Sequence, residues 1–120
     1  MNLTKIIKSG ESETVEFKKS TGEWREIIET ISAFANTKGG IILIGVGEKK
    51  KVYGVSIGEG TMEDLTNKIL NRTEPRIYPE IGTKTLNKKK IIYIKVDAYP
   101  YNVVLPLVSL LKELAKILQG

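Results

Sequence analysis

The sequence predicts an α+β fold: a single domain with a mixed central sheet, β-hairpins and about three helices in the order β-α-β-β-α-β-β-α. Three observations carry that expectation. Residues 41–46, Ile-Ile-Leu-Ile-Gly-Val, form an almost continuous apolar run rich in β-branched side chains, which suits a strand buried on both faces. Two flanking segments repeat apolar residues at intervals of three and four, the spacing of one helix face. The chain has 120 residues, 41% hydrophobic and 28% charged, enough for one packed core and far from the composition of a disordered chain.

In chain order, residues 1–10 read as a short polar lead-in. Residues 14–17 alternate polar side chains with Val15 and Phe17, as a strand with one buried face does. Ser20 and Glu23 have capping-box spacing, and behind them Trp24, Ile27, Ile28, Ile31, Phe34 and Ala35 share a helical face that runs to about Asn36. Lys38-Gly39-Gly40 ends that helix and leads into the central strand. Residues 47–50 turn the chain, residues 51–55 return it as a hairpin partner, and residues 56–60 are loop. Thr61 and Asp64 repeat the capping spacing before a second helix marked by Met62, Leu65 and Ile69 and ending near Asn71. Pro75 and Pro79 bracket an extended connection. Residues 80–86 and 91–96 flank Asn87-Lys88-Lys89-Lys90, a hairpin whose tip carries three ammonium groups. After Pro100 and Pro106, Leu107, Leu110, Leu111, Leu114, Ile117 and Leu118 form a narrow stripe, suited either to the core or to a second subunit.

The absence of His and Cys excludes His-centred proton relays, Ser-His and Cys-His nucleophiles, thiolate or imidazole metal sites and disulfides. Chemistry is left to carboxylates, Lys, Arg, Tyr, Ser and Thr. No Gly-x4-Gly-Lys-Ser/Thr string occurs, so a P-loop ATP site is excluded, and a lysine run follows Gly45 and Gly47 where a dinucleotide fingerprint needs a third glycine. Those glycines suit a tight turn, and Gly39-Gly40 suits either close passage of helix end and strand or contact with phosphate. No apolar run approaches the roughly eighteen residues of a membrane span and the start has no signal-peptide core, so the expected location is the cytoplasm. The formal charge of +5 favours a polyanionic partner. Its excess is concentrated in the second half, with ten basic and six acidic residues against nine and eight in the first. Carboxylate is mostly Glu, Gln119 is the sole Gln and Ile is abundant, a bias seen in hyperthermophile proteins.

Glu11, Glu13 and Glu16 lie before and within the first strand. In a regular strand Glu11 and Glu13 share a face and Glu16 lies opposite, whereas a bend at Ser12 or Glu13 lets Glu11 and Glu16 converge. Such a pair is either solvated or able to hold Mg²⁺ or Mn²⁺ for phosphodiester hydrolysis, a chemistry that needs no His.

Several strings stand in a recognisable order: Gly10-Glu11-Ser12, Glu16-Phe17-Lys18, Ala33-Phe34-Ala35-Asn36-Thr37 followed by Gly39-Gly40, Gly45-Val46, and Val52-Tyr53-Gly54. Together they resemble the Schlafen-type, AlbA-like DNA-binding domain, with Ile77-Tyr78-Pro79 and the strand at 91–96 extending the resemblance over residues 8–100. The resemblance implies a nucleic-acid-binding module of the kind found in bacterial and archaeal transcriptional regulators, over residues 1–100. Residues 101–120 are then a C-terminal amphipathic helix of the same domain or an oligomer contact. They depart from the family, which continues into a Tyr-x-Arg type strand.

On this reading Lys18, Lys19, Arg25, Lys49, Lys50, Lys51, Lys88, Lys89 and Lys90 contact phosphates, and Asn36, Thr37, Gly39 and Gly40 donate from the family loop. Binding is expected to be largely sequence-tolerant, to prefer DNA over RNA and to need no cofactor. Tyr53 and Tyr93 are expected to be packing residues. Animal Schlafen proteins imply an alternative, a Mg²⁺- or Mn²⁺-dependent ribonuclease whose three acidic residues map to Glu11, Glu16 and Glu48, the last where the family usually has Asp. A further alternative is a homo-oligomerisation module built on the C-terminal leucine stripe.

Overall fold

The apolar run in the middle of the chain forms β2 (Gly40–Ile44), and its two faces organise the rest of the molecule. The computed structural model describes residues 1–99 and 104–119. In it β2 lies inside a four-stranded sheet, paired in parallel with β1 (Val15–Lys18) and antiparallel with β5 (Lys89–Val96), which pairs antiparallel with β4 (Glu80–Leu86). The sheet is therefore mixed and the class α+β, as expected.

Alternation along β2 sends Ile42 and Ile44 to one face and Leu43 to the other. On the first face, Ile42, Ile44, Ile92, Ile94 and Val96 pack with Ile27, Ile28 and Ile31 of α2 (Trp24–Ala35) and Leu65 and Ile69 of α3 (Thr61–Asn71). On the second, Leu43, Val46, Ile91 and Phe17 pack with Leu3 and Ile7 of α1 (Leu3–Ser9). Each fully buried Ile or Leu contributes about 1.5–3 kcal/mol through its removal from water.

Helix α1 corrects the expected polar lead-in. Asn2 caps it by accepting from the Lys5 N–H at 3.1 Å, and Gly10, with φ of 82°, closes it. A second correction concerns residues 51–55. The turn after β2 forms and the return arm pairs only briefly: the Gly47 N–H donates to the Lys51 carbonyl, Val46 bridges Val52 and the Tyr53 and Gly54 N–H groups donate to the Gly45 carbonyl, after which Gly54 takes φ of 75° and the Val55 N–H turns to the Lys90 carbonyl. A third concerns the lysine tip. Asn87 and Lys88, both with positive φ, make a two-residue turn by themselves, so Lys89 and Lys90 belong to β5. At α3 the N-cap is Gly60, not Thr61. The Thr61 hydroxyl accepts from the Gly58 N–H, and Asp64 pairs with Lys68 at 2.8 Å.

Beyond α3, β3 (Thr73–Glu74) pairs with β6 (Leu105–Pro106) in a small antiparallel sheet, and α4 (Leu107–Gln119) follows and lies against α2. Asn36 fastens this end of the chain, its side-chain amide donating to the Val104 carbonyl at 2.9 Å and its oxygen accepting from the Val104 N–H at 2.6 Å. In the α4 stripe Leu111, Leu114, Ile117 and Leu118 are exposed, which removes them from the core, while the side chain of Leu110 lies outside the described residues. The expected boundary between residues 100 and 101 also lies outside them. Among the described residues no helix is long and apolar enough to cross a membrane.

Candidate functional site

Because β1 and β2 run parallel, their C-terminal ends emerge at the same end of the sheet, with Lys18 beside Ile44. The chain leaving β1 and the chain leaving β2 therefore meet. They are pinned there by the Gly45 and Val46 N–H groups, which donate to the Lys18 carbonyl at 2.7 and 3.2 Å. Between them lies a groove of about 530 Å³, whose wall includes Glu11, Glu16, Lys18, Lys19, Glu48, Lys49, Lys51 and Tyr53.

Glu11 reaches the groove through the bend the sequence allowed. Ser12 and Val15 exchange backbone hydrogen bonds at 3.0 and 3.4 Å, folding the preceding segment back along β1. The Glu11 carboxylate then accepts from the Phe17 N–H at 3.2 Å and comes within hydrogen-bonding reach of Glu16. Burial raises the Glu16 pKa above its ordinary 4.5, the hydrogen bond to Glu11 and that residue's charge raise it further, and Lys18, 3.8 Å away, opposes part of the effect. Glu48 lines the same groove without joining the pair. Among the described residues no group of three carboxylates stands close enough together to hold a metal ion.

The raised pKa of Glu16 fixes the sign of a stability effect. In the interval above pH 4.5 the folded chain holds a proton that the unfolded chain has lost, so stability falls as pH rises through it. Glu16→Gln removes this penalty. The variant is expected to be more stable than the wild type at pH 7, by less than about 1 kcal/mol after solvent screening, with the advantage vanishing below about pH 4. Urea midpoints at both pH values measure it. The long, screened contact to Lys18 offsets little of the gain.

Tyr53, expected to be a packing residue, lines the groove instead. It is 44% exposed, and its ring carries the Lys19 ammonium at 4.8 Å and the Lys51 ammonium at 5.0 Å from its centroid. Gly47 makes this possible, since a Cβ there would sit 2.5 Å from the ring. The ring thus holds two cations over the groove that flexible lysines would otherwise carry at random. Glu23 has a local task, accepting from the Lys19 and Ser20 N–H groups at 2.8 and 3.3 Å.

The remaining candidates lie elsewhere. The Lys50 ammonium donates to the Lys8 carbonyl at the end of α1, 2.7 Å away. Lys88, Lys89 and Lys90 sit at the groove end of the sheet but outside the groove, with Lys89 donating to the Val52 carbonyl at 3.1 Å. Arg25 stacks on Trp24. Asn36 holds Val104, and the Thr37 hydroxyl donates to the Ala33 carbonyl at 2.8 Å. Gly39 and Gly40 lie at the opposite end of β2 from the groove, in close contact with neighbouring chain.

Residues 11–112 match the family described as Schlafen, AlbA_2. A protein of Ureaplasma parvum, described as an uncharacterized ATP-binding protein, is 33% identical over 91 residues, which are 71% of this chain and 26% of that protein. The DIP2311 protein of Corynebacterium diphtheriae superposes with a TM-score of 0.67 at 16% identity, covering 88% of this chain and 23% of that one. The N-terminal domain of a protein described as ATP-dependent DNA helicase RecG-related, from Nitrosomonas europaea, gives 0.66 at 20% identity, covering 82% and 74%. The structural likenesses are likenesses of fold. The chain spans about a quarter of the length of the Ureaplasma and Corynebacterium proteins.

Proposed function

The chain belongs to the Schlafen, AlbA_2 family, and we propose that its groove binds the phosphate backbone of nucleic acid, DNA ahead of RNA, as the contacting module of a regulator. The observation that carries this reading is the pair of ammonium groups, Lys19 and Lys51, held over the exposed Tyr53 ring on a groove whose other lysines, Lys18 and Lys49, stand among Glu11, Glu16, Glu23 and Glu48. Ammonium groups gathered on one groove suit a phosphate backbone, and among the described residues no arrangement for reading base edges accompanies them, so binding is sequence-tolerant. The surrounding basic residues at 88–90 add to the field at the same end of the sheet. No cofactor is needed, and the cytoplasm is the compartment that fits.

Fluorescence anisotropy with labelled single- and double-stranded oligonucleotides tests this. Affinity is expected to fall steeply between about 50 and 200 mM salt, with a log-log slope of roughly −0.7 per phosphate contacted on single strands, and to be the same for scrambled sequences. Absence of binding at low salt, or binding indifferent to salt, overturns the proposal.

The two carboxylates Glu11 and Glu16, neighbours on the wall of the groove, support a second reading, metal-assisted hydrolysis of RNA. Mg²⁺ or Mn²⁺ would take this pair as ligands and would need Glu48 or water to complete its shell. RNA cleavage that requires Mn²⁺ and is lost in Glu16→Ala would establish it.

A further inference from the structure

Outside the groove, three cations converge on one aromatic ring. The Arg25 and Arg72 guanidinium groups lie 4.4 and 4.9 Å from the Trp24 ring centroid, and the Lys68 ammonium lies 5.3 Å from it. Trp24 stands at the first turn of α2 and packs against the core below, while Lys68 belongs to the last turn of α3 and Arg72 caps it. Three like charges around a single ring repel one another, and Asp64, 2.8 Å from Lys68, offsets one of them. An anion at this point relieves the rest. A guanidinium held over an indole keeps N–H donors to offer, and Arg uses them to hold a phosphate.

The cluster adjoins the groove. Glu23, on the groove wall, directly precedes Trp24, and the same carboxylate fixes the backbone of Lys19, whose side chain lies over Tyr53. One 3₁₀ turn, Thr21–Glu23, therefore separates two cation-bearing aromatics. We propose that a nucleic-acid strand seated in the groove continues across this turn and that Arg25, Lys68 and Arg72 hold its next backbone phosphates against Trp24. The inference rests on the groove reading and adds a direction and a second contact point to it.

Trp24 is the sole tryptophan of the chain, so its emission reports on this cluster directly. The full chain is titrated with single-stranded oligonucleotides of about four and about fifteen nucleotides, bracketing the footprints common for such grooves. The longer strand is expected to bind at least about tenfold more tightly and to change the Trp24 emission. In Arg25→Ala/Arg72→Ala the advantage of the longer strand is expected to shrink to about twofold and the salt slope to fall by about 1.4. Arg25→Lys/Arg72→Lys, which keeps the charges, is expected to recover most of the advantage and guards against a folding artefact. Unchanged emission at saturation, or wild-type affinity in the alanine variant, overturns this inference while leaving the groove reading in place. Failure of both strands to bind overturns both.

Discussion

Lys19→Ala/Lys51→Ala is expected to weaken single-stranded oligonucleotide binding by about ten- to a hundredfold near 50 mM salt, and to reduce the salt slope by about 1.4, two phosphates' worth. The magnitude follows from position. Both residues are exposed, yet both ammonium groups are held over the Tyr53 ring, so each meets a ligand with little ordering left to do. Neither lysine supports the core, so the melting temperature should move by no more than about two degrees. Tyr53→Leu keeps the apolar bulk and removes the cation–π attraction. It should fall between wild type and the double variant, with its loss in affinity and not in slope, since both charges remain. Equal binding by wild type and the double variant across salt concentrations would remove the groove from consideration as the phosphate contact.

Features that depend on local periodicity were legible in the sequence. The two faces of β2 follow from an apolar run that leaves no polar side, and α2 and α3 follow from spacing alone. Helix α1 had its signals too: Asn2 as cap, Leu3, Ile6 and Ile7 on one face, and Gly10 as stop. Its seven residues and two lysines gave it the composition of a polar lead-in. The lysine tip shrank because Lys88 adopts a left-handed conformation more usual for Gly or Asn, and a two-residue turn leaves Lys89 and Lys90 to the strand. Long-range contacts had no local signal. Asn36 bonds a residue 68 positions away, and Lys50 closes the end of a helix 42 positions earlier. The carboxylate pair was legible only as one of two outcomes, since the exchange between Ser12 and Val15 decides it. Tyr53 was misplaced because its exposure is set by Gly47, whose missing Cβ leaves room for the ring outside the sheet.

Gly40→Ala is expected to cost about 3 kcal/mol or more, lowering the melting temperature by roughly 10 °C. A Cβ on Gly40 would lie 2.7 Å from two ring carbons of Phe34 and 2.8 Å from the Thr14 carbonyl oxygen. None of these can withdraw freely. Phe34 is 5% exposed and packed between α2 and the sheet, and the Thr14 carbonyl accepts the Ile41 N–H at 2.8 Å where β1 and β2 begin to pair. Relief therefore has to separate the helix from the strand or the two parallel strands from each other. Gly60→Ala is the control. Its φ of 84° imposes backbone strain of about 1 kcal/mol, but nothing lies within 4 Å of the added carbon, so its loss should be about a third as large. The same variant decides between the two readings of the glycine pair. Gly40 opens β2, whereas the groove lies beyond the strand's other end, so Gly40→Ala protein that remains folded at low temperature should keep wild-type affinity for oligonucleotide. Wild-type stability combined with lost binding would instead assign the pair to the ligand and move the phosphate contact to the opposite end of the sheet.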